Sequence, residues 1–265
     1  GRNGQGKTTL MNLIAGKFEP DEGIIEIDGK NPVTDIGTAK RIVYVAGVMS
    51  YSEMKLKKII EEYRLMYEKF DEEFAHKLME LFGLNKKAKI KNLSKGQETI
   101  FNFCCGMATR ADITILDEPV SGVDAISRNK IYEIILRDYI EHPRTILISS
   151  HMLGEMEKIL SHMIMIGNND VLFAGDIEEL KDSVYRVDGE LANIEKYCEE
   201  KKVLYKKNQT LGAMAVIEGR LNKEEAEKAD ELELATSKLS GEEIYMYKTD
   251  LKNANQMEAL WEKKN

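Results

Sequence analysis

The sequence predicts an α/β fold in which apolar strands alternate with helices, and three segments predict it. The first is a glycine-rich turn opening a helix, Gly1-Arg2-Asn3-Gly4-Gln5-Gly6-Lys7-Thr8-Thr9 followed by Leu10-Met11-Asn12-Leu13-Ile14-Ala15. The second is an apolar strand ending in two acids, Ile113-Thr114-Ile115-Leu116-Asp117-Glu118-Pro119. The third, Thr145-Ile146-Leu147-Ile148-Ser149-Ser150, is an apolar strand ending at His151. Open α/β sheets place their ligands at the carboxyl ends of strands, so these ends are the first place to look for chemistry.

Composition narrows the class. A chain of 265 residues, 43% hydrophobic and 32% charged, suits a globular protein with one large domain and a smaller appendage. No run approaches the ~18 consecutive apolar residues of a membrane span. A net charge of -8 argues against nucleic acid as a partner. Cys104, Cys105 and Cys198 fit no metal spacing and read as reduced thiols.

The opening turn satisfies G-x-x-x-x-G-K-[ST]. Glycines allow the backbone to wrap closely round phosphate oxygens with its N–H groups inward. Asn3, Gly4, Gly6, Lys7, Thr8 and Thr9 are therefore expected to hold a nucleotide's phosphates. Lys7 supplies the point charge for the β- and γ-phosphates, and the Thr8 hydroxyl is a Mg²⁺ ligand. Asp117 is expected to hold Mg²⁺ through water, and Glu118 to orient and deprotonate an attacking water. His151 is expected to reach the γ-phosphate, whereas His76, His142 and His162 read as structural or surface residues. Ser94 in Leu93-Ser94-Lys95-Gly96-Gln97 is a natural N-cap for a helix from Gly96 to Arg110.

With those segments in place, the chain resembles the ATP-binding cassette (ABC) ATPases over roughly residues 1 to 180. Gly1–Thr9, Leu93–Gln97, Ile113–Pro119, Ser121-Gly122-Val123-Asp124 and His151 look like that family's Walker A, signature, Walker B, D-loop and H-loop, in the family's order. The resemblance implies a P-loop NTPase (RecA-like) core with an antiparallel β-subdomain and a helical subdomain. It also implies ATP and Mg²⁺ as ligands, and a homodimer or heterodimer of nucleotide-binding domains that sandwich ATP head to tail. In such a dimer Ser94, Gly96 and Gln97 would serve the nucleotide on the partner's loop. A separate transmembrane permease subunit is the further partner implied, with the chain peripheral on the cytoplasmic face of the membrane.

Some positions depart from the family pattern. No glutamine lies between Gln5 and Gln97, and Gly47 occupies the place where the family carries a Mg²⁺-linking glutamine. Water or Glu53 is the expected substitute. Lys95 stands where glycine is commonest in the signature. A phosphate loop normally follows a buried strand and the family's adenine-stacking aromatic lies upstream, so the sequence reads as truncated at the N-terminus.

Residues 24–29 and 41–45 read as strands of the β-subdomain, and about 53–110 as the helical subdomain. The lysine-rich stretch 86–91 reads as a solvated loop. Beyond the core, strand 184–187, helix 190–201, strands 203–207 and 212–218, helix 222–230 and strand 232–236 suggest a ferredoxin-like accessory domain over 183–265. Gly175–Leu180 and Leu239–Tyr245 resemble segments of exporter ATPases. The leading expectation is thus an exporter's ATP-hydrolysing subunit. The alternatives are a soluble ABC ATPase without a transport role and an ATP-sensing regulatory subunit.

Overall fold

Gly6, at φ 86°, turns the chain into helix α1 (Lys7–Ile14). That left-handed conformation is one glycine adopts without steric cost. The computed structural model describes residues 1, 3–46, 53–167, 169–209 and 212–249. Within them the chain forms two compact units: Gly6–His151, and a second that begins at Met152 and includes Gly1–Gln5.

In the first unit α1 is followed by a short helix α2 (Ile36–Ala39), capped by the Asp35 side chain, and by strand β1 (Ile42–Val45). Helices α3 (Leu56–Met66), α4 (Glu72–Leu81) and α5 (Lys95–Ala108) come next. Strand β2 (Ile113–Asp117), helix α6 (Ala125–Glu141) and strand β3 (Thr145–Ser149) complete the unit. The sheet is parallel in the order β1-β2-β3, and every residue of the central strand β2 is buried. Helix α5 is buried from Thr99 to Ala108, with Phe101, Phe103 and Met107 fully enclosed. Burying an apolar side chain of that size contributes about 1.5–3 kcal/mol, which outweighs the weak helix propensity of a Phe- and Cys-rich segment. Asp138, on α6, is buried and held between Arg110 and Arg144, with Arg144 at 2.8 Å. A carboxylate at that depth is tolerated because both neighbours carry the opposite charge.

Two expectations are corrected here. Residues 42–45 pair in parallel with β2 and so belong to the core sheet, not to an antiparallel subdomain. Residues 24–29 form no strand: Ile24 is exposed, and only one bridge, Ile27 with Lys30, closes round Asp28 and Gly29. Both turn residues have positive φ, the geometry of a tight two-residue hairpin turn, and without a longer ladder the flanks stay irregular. The lysine-rich stretch is also tied down. The N–H groups of Leu56 and Lys57 donate to the carbonyls of Ala88 and Lys86, each at 3.0 Å.

The second unit opens with α7 (Leu153–Met156) and a hairpin of β4 (His162–Gly167) and β5 (Asp170–Asp176). Then come α8 (Ile177–Asp182), β6 (Val184–Gly189), α9 (Leu191–Cys198), β7 (Lys202–Gln209) and β8 (Gly212–Glu218). It ends with α10 (Lys223–Glu231), β9 (Ala235–Lys238) and α11 (Gly241–Thr249). The four-stranded sheet runs β7-β8-β6-β9 with every neighbour antiparallel, the order of a split βαβ unit. Both faces of this sheet are covered. Val187, Ala215 and Ile217 pack with Ile194 and Ala229, while Val184, Met214 and Val216 pack with Met165, Leu180 and Ile244.

Candidate phosphate and water site

Helix α1 starts at Lys7, and its first turn leaves backbone N–H groups without intrahelical acceptors. Together with the helix dipole they make an anion site. Thr8 and Thr9 are exposed on that first turn. Asn3 and Gly4 lie in the exposed turn before it, with Gly4 at φ 80°. Arg2 and Gly47 lie outside the described residues.

The ends of the two strands bring the acids and the histidine together. β2 and β3 run in parallel with Asp117 opposite Ser149, so the residues that follow leave the sheet side by side. Glu118 sits at φ 50°, a conformation uncommon outside glycine, ahead of Pro119. Its N–H is held by the Ser149 hydroxyl at 3.0 Å. One carboxylate oxygen of Glu118 lies 2.8 Å from Nδ1 of His151, and the other lies 3.4 Å from the Lys7 ammonium. The Lys7 and Glu118 side chains are 11% and 22% exposed, enough to strengthen their attraction over that of a surface pair while leaving water access. The geometry thus joins three of the residues expected from sequence. In this arrangement His151 and Lys7 both engage Glu118.

Asp117 is 7% exposed, and each of its oxygens accepts one hydrogen bond. Ser149 donates to Oδ1 at 2.5 Å and Tyr44 donates to Oδ2 at 2.8 Å. Burial, with Asp117 beside it, pushes the Tyr44 phenol well above its ordinary range. Burial pulls the Lys17 ammonium down, and that ammonium sits 3.6 Å from the centre of the Tyr44 ring. Each oxygen of Asp117 keeps a second lone pair. Carboxylate and hydroxyl oxygens such as those of Asp117 and Thr8 are the hard donors that suit Mg²⁺. Among the described residues no cluster of three or more His, Cys, Asp or Glu could cage a metal. Mg²⁺ arriving with phosphate oxygens needs fewer protein ligands, and the residues present fit that role. Glu53 does not take part: Lys89 and Lys91 hold its carboxylate at 3.1 and 2.7 Å, and its side chain is 65% exposed.

Ser94, Gly96 and Gln97 form the start of α5 and stand apart in sequence from α1. The Ser94 hydroxyl caps the Gln97 N–H, and the Gln97 side chain returns a bond to the Ser94 N–H at 3.0 Å, a full capping box. The Gln97 carbonyl oxygen is therefore occupied within its own helix end. Gly96 presses against the Gly122 carbonyl, leaving no room for a Cβ, and Thr99 donates to the Ser121 carbonyl at 3.1 Å. The signature and the 121–124 turn are one packed structure, and Asp124 caps α6 through the Ser127 N–H. Sequence reasoning missed Tyr44 and Ser149. Their places beside Asp117 depend on the register of the parallel strands, for which the sequence carries no signal.

A family model described as ABC transporter matches residues 1–121. The chain is 29% identical over 188 residues to the ABC transporter ATP-binding protein YtrB of Bacillus subtilis, a match covering 71% of this chain and 64% of that protein. It is 28% identical over 191 residues to NatA, an ABC transporter ATP-binding protein of the same organism, covering 69% of this chain and 77% of NatA. The chain thus spans less than two thirds of YtrB. In fold it is similar to a solved ATP-binding subunit of an ABC transporter, with a TM-score of 0.61 at 22% identity, over 68% of this chain and 78% of that one. The P-loop NTPase architecture, the convergence of Lys7, Glu118 and His151 and these likenesses agree, and the chain belongs to the ABC transporter ATP-binding protein family.

Proposed function

We propose that the chain is the ATP-hydrolysing subunit of a membrane exporter, working as a head-to-tail dimer of nucleotide-binding domains on a separate permease subunit. The observation that carries this reading is the meeting of Lys7 and His151 on the two oxygens of Glu118. Lys7 and the first turn of α1 would neutralise the β- and γ-phosphates. Thr8 and, through water, Asp117 would hold Mg²⁺, which when bound offsets the charge developing on the phosphate oxygens. Glu118 would take the proton as water attacks the γ-phosphorus, and the P–O bond to ADP would break with its electron pair leaving on ADP. His151 would keep that carboxylate oriented and steady the γ-phosphate. Ser94 and Gly96, at the exposed start of α5, suit a role toward nucleotide on a partner subunit because a helix N-terminus attracts anions.

The export direction is supported by the two segments that resemble exporter ATPases. Ile177 and Leu180 from one, and Leu239 and Ile244 from the other, are buried in a single core. Among the described residues no helix is long and apolar enough to cross a membrane, so membrane attachment in this reading comes through the permease. Affinity purification of the tagged protein from solubilised membranes is expected to recover a polytopic membrane protein. Recovery of soluble partners alone would overturn the transporter reading.

A further inference from the structure

Three adjacent strands each contribute one group at a single carboxylate. Tyr44 on β1 and Ser149 on β3 donate to opposite oxygens of Asp117 at the end of β2. The torsion that spins a carboxylate is broad, so a lone Asp at a strand end samples a range of orientations. Two charge-assisted O–H···O bonds from opposite sides remove that freedom. The Tyr44 ring is itself held in place, with the Lys17 ammonium over its face. Met11 and Ile14 of α1, the helix that begins with Lys7 and Thr8, pack against the same buried cluster as Tyr44. Tyr44 therefore shares its packing with the helix bearing the phosphate-binding residues while its hydroxyl holds the acid strand.

We propose that Tyr44 is a positioning residue for Mg²⁺: its hydroxyl, paired with that of Ser149, fixes Asp117 in the one orientation that leaves its remaining lone pairs set for a water-held ion. The inference rests on the reading of this site as a Mg²⁺–ATP centre and deepens it. Residues that orient a metal-holding group from behind typically change metal affinity about 10-fold or more when removed.

Tyr44→Phe isolates the hydroxyl, because the ring, its packing and the Lys17 contact persist. ATP binding to wild type and variant is measured by titration calorimetry in EDTA and across a Mg²⁺ series. The expected result is unchanged affinity for ATP without Mg²⁺ and a rise of about 10-fold in the Mg²⁺ concentration that half-saturates the metal-dependent gain. An unchanged Mg²⁺ requirement would overturn the proposal. Equal loss of binding with and without Mg²⁺ would also overturn it, because that marks a structural role. A wild type that binds ATP with no Mg²⁺ dependence would remove the underlying reading, and the proposal with it.

Discussion

Nδ1 of His151 lies 2.8 Å from one oxygen of Glu118, while the Lys7 ammonium lies 3.4 Å from the other. A histidine, a carboxylate and a lysine so placed form a relay that a phosphate can enter: the lysine has a second anion to move to, and the histidine continues to hold the base.

His151→Ala removes the group that orients Glu118 without touching α1. Turnover is expected to fall about 100-fold or more, the usual scale for losing a positioned acid–base partner. ATP affinity is expected to change little. Single-turnover hydrolysis set beside equilibrium ATP binding separates the two effects.

Lys7→Met acts on the ground state as well. Hydrogen bonds to a charged group contribute about 1.5–3 kcal/mol, so ATP affinity is expected to drop about 10- to 100-fold. The variant also leaves the part-buried Glu118 carboxylate without its cation. Titration calorimetry with ATP checks the affinity, and thermal unfolding without nucleotide is expected to show a small destabilisation.

Gly96→Ala tests the joint between the signature and the 121–124 turn. A Cβ at residue 96 would overlap the Gly122 carbonyl, so backbone has to move. Forced overpacking of this kind costs about 1–3 kcal/mol. A lowered unfolding midpoint, with ATP binding to the isolated subunit retained, is the expected outcome in chemical denaturation.

Acid should loosen the second unit by a traceable route. The hydrogen bond from Lys201 holds Glu225 below the ordinary glutamate range, against the opposing effect of burial. A depressed folded pKa adds stability that is present above the unfolded value of about 4.3 and is lost as pH falls through the folded value. Lys201→Met is therefore expected to lower stability at pH 7 by about 0.5–1 kcal/mol. At pH 3 the same variant should differ less from wild type, as read from urea midpoints at the two pH values.

The site was legible in sequence wherever its chemistry sits at the end of a local element. Gly6-Lys7-Thr8 opens a helix, Asp117-Glu118 and His151 follow apolar strands, and Ser94 reads as the N-cap of a helix. These are short-range patterns, readable without knowing what lies opposite. Tyr44 and Ser149 were not legible as partners of Asp117, because their meeting depends on the register of three parallel strands distant in sequence. The same non-locality misplaced residues 42–45, whose apolar run carries no mark of parallel or antiparallel pairing. Residues 24–29 read as a strand yet lack the ladder that would make them one, since local sequence alone supplies no partner. Glu53 looked available to the metal only until the fold brought Lys89 and Lys91 to it.

The central claim is that Glu118 is the base that activates water over a phosphate held by Lys7. Glu118→Gln keeps the shape and removes the proton acceptor, so the most direct measurement is ATP hydrolysis by this variant, paired with its oligomeric state in ATP. The predicted result is hydrolysis reduced at least about 100-fold, together with a dimer that persists in ATP and dissociates when ATP is removed. Hydrolysis at the wild-type rate would contradict the claim and remove Glu118 from the role of base.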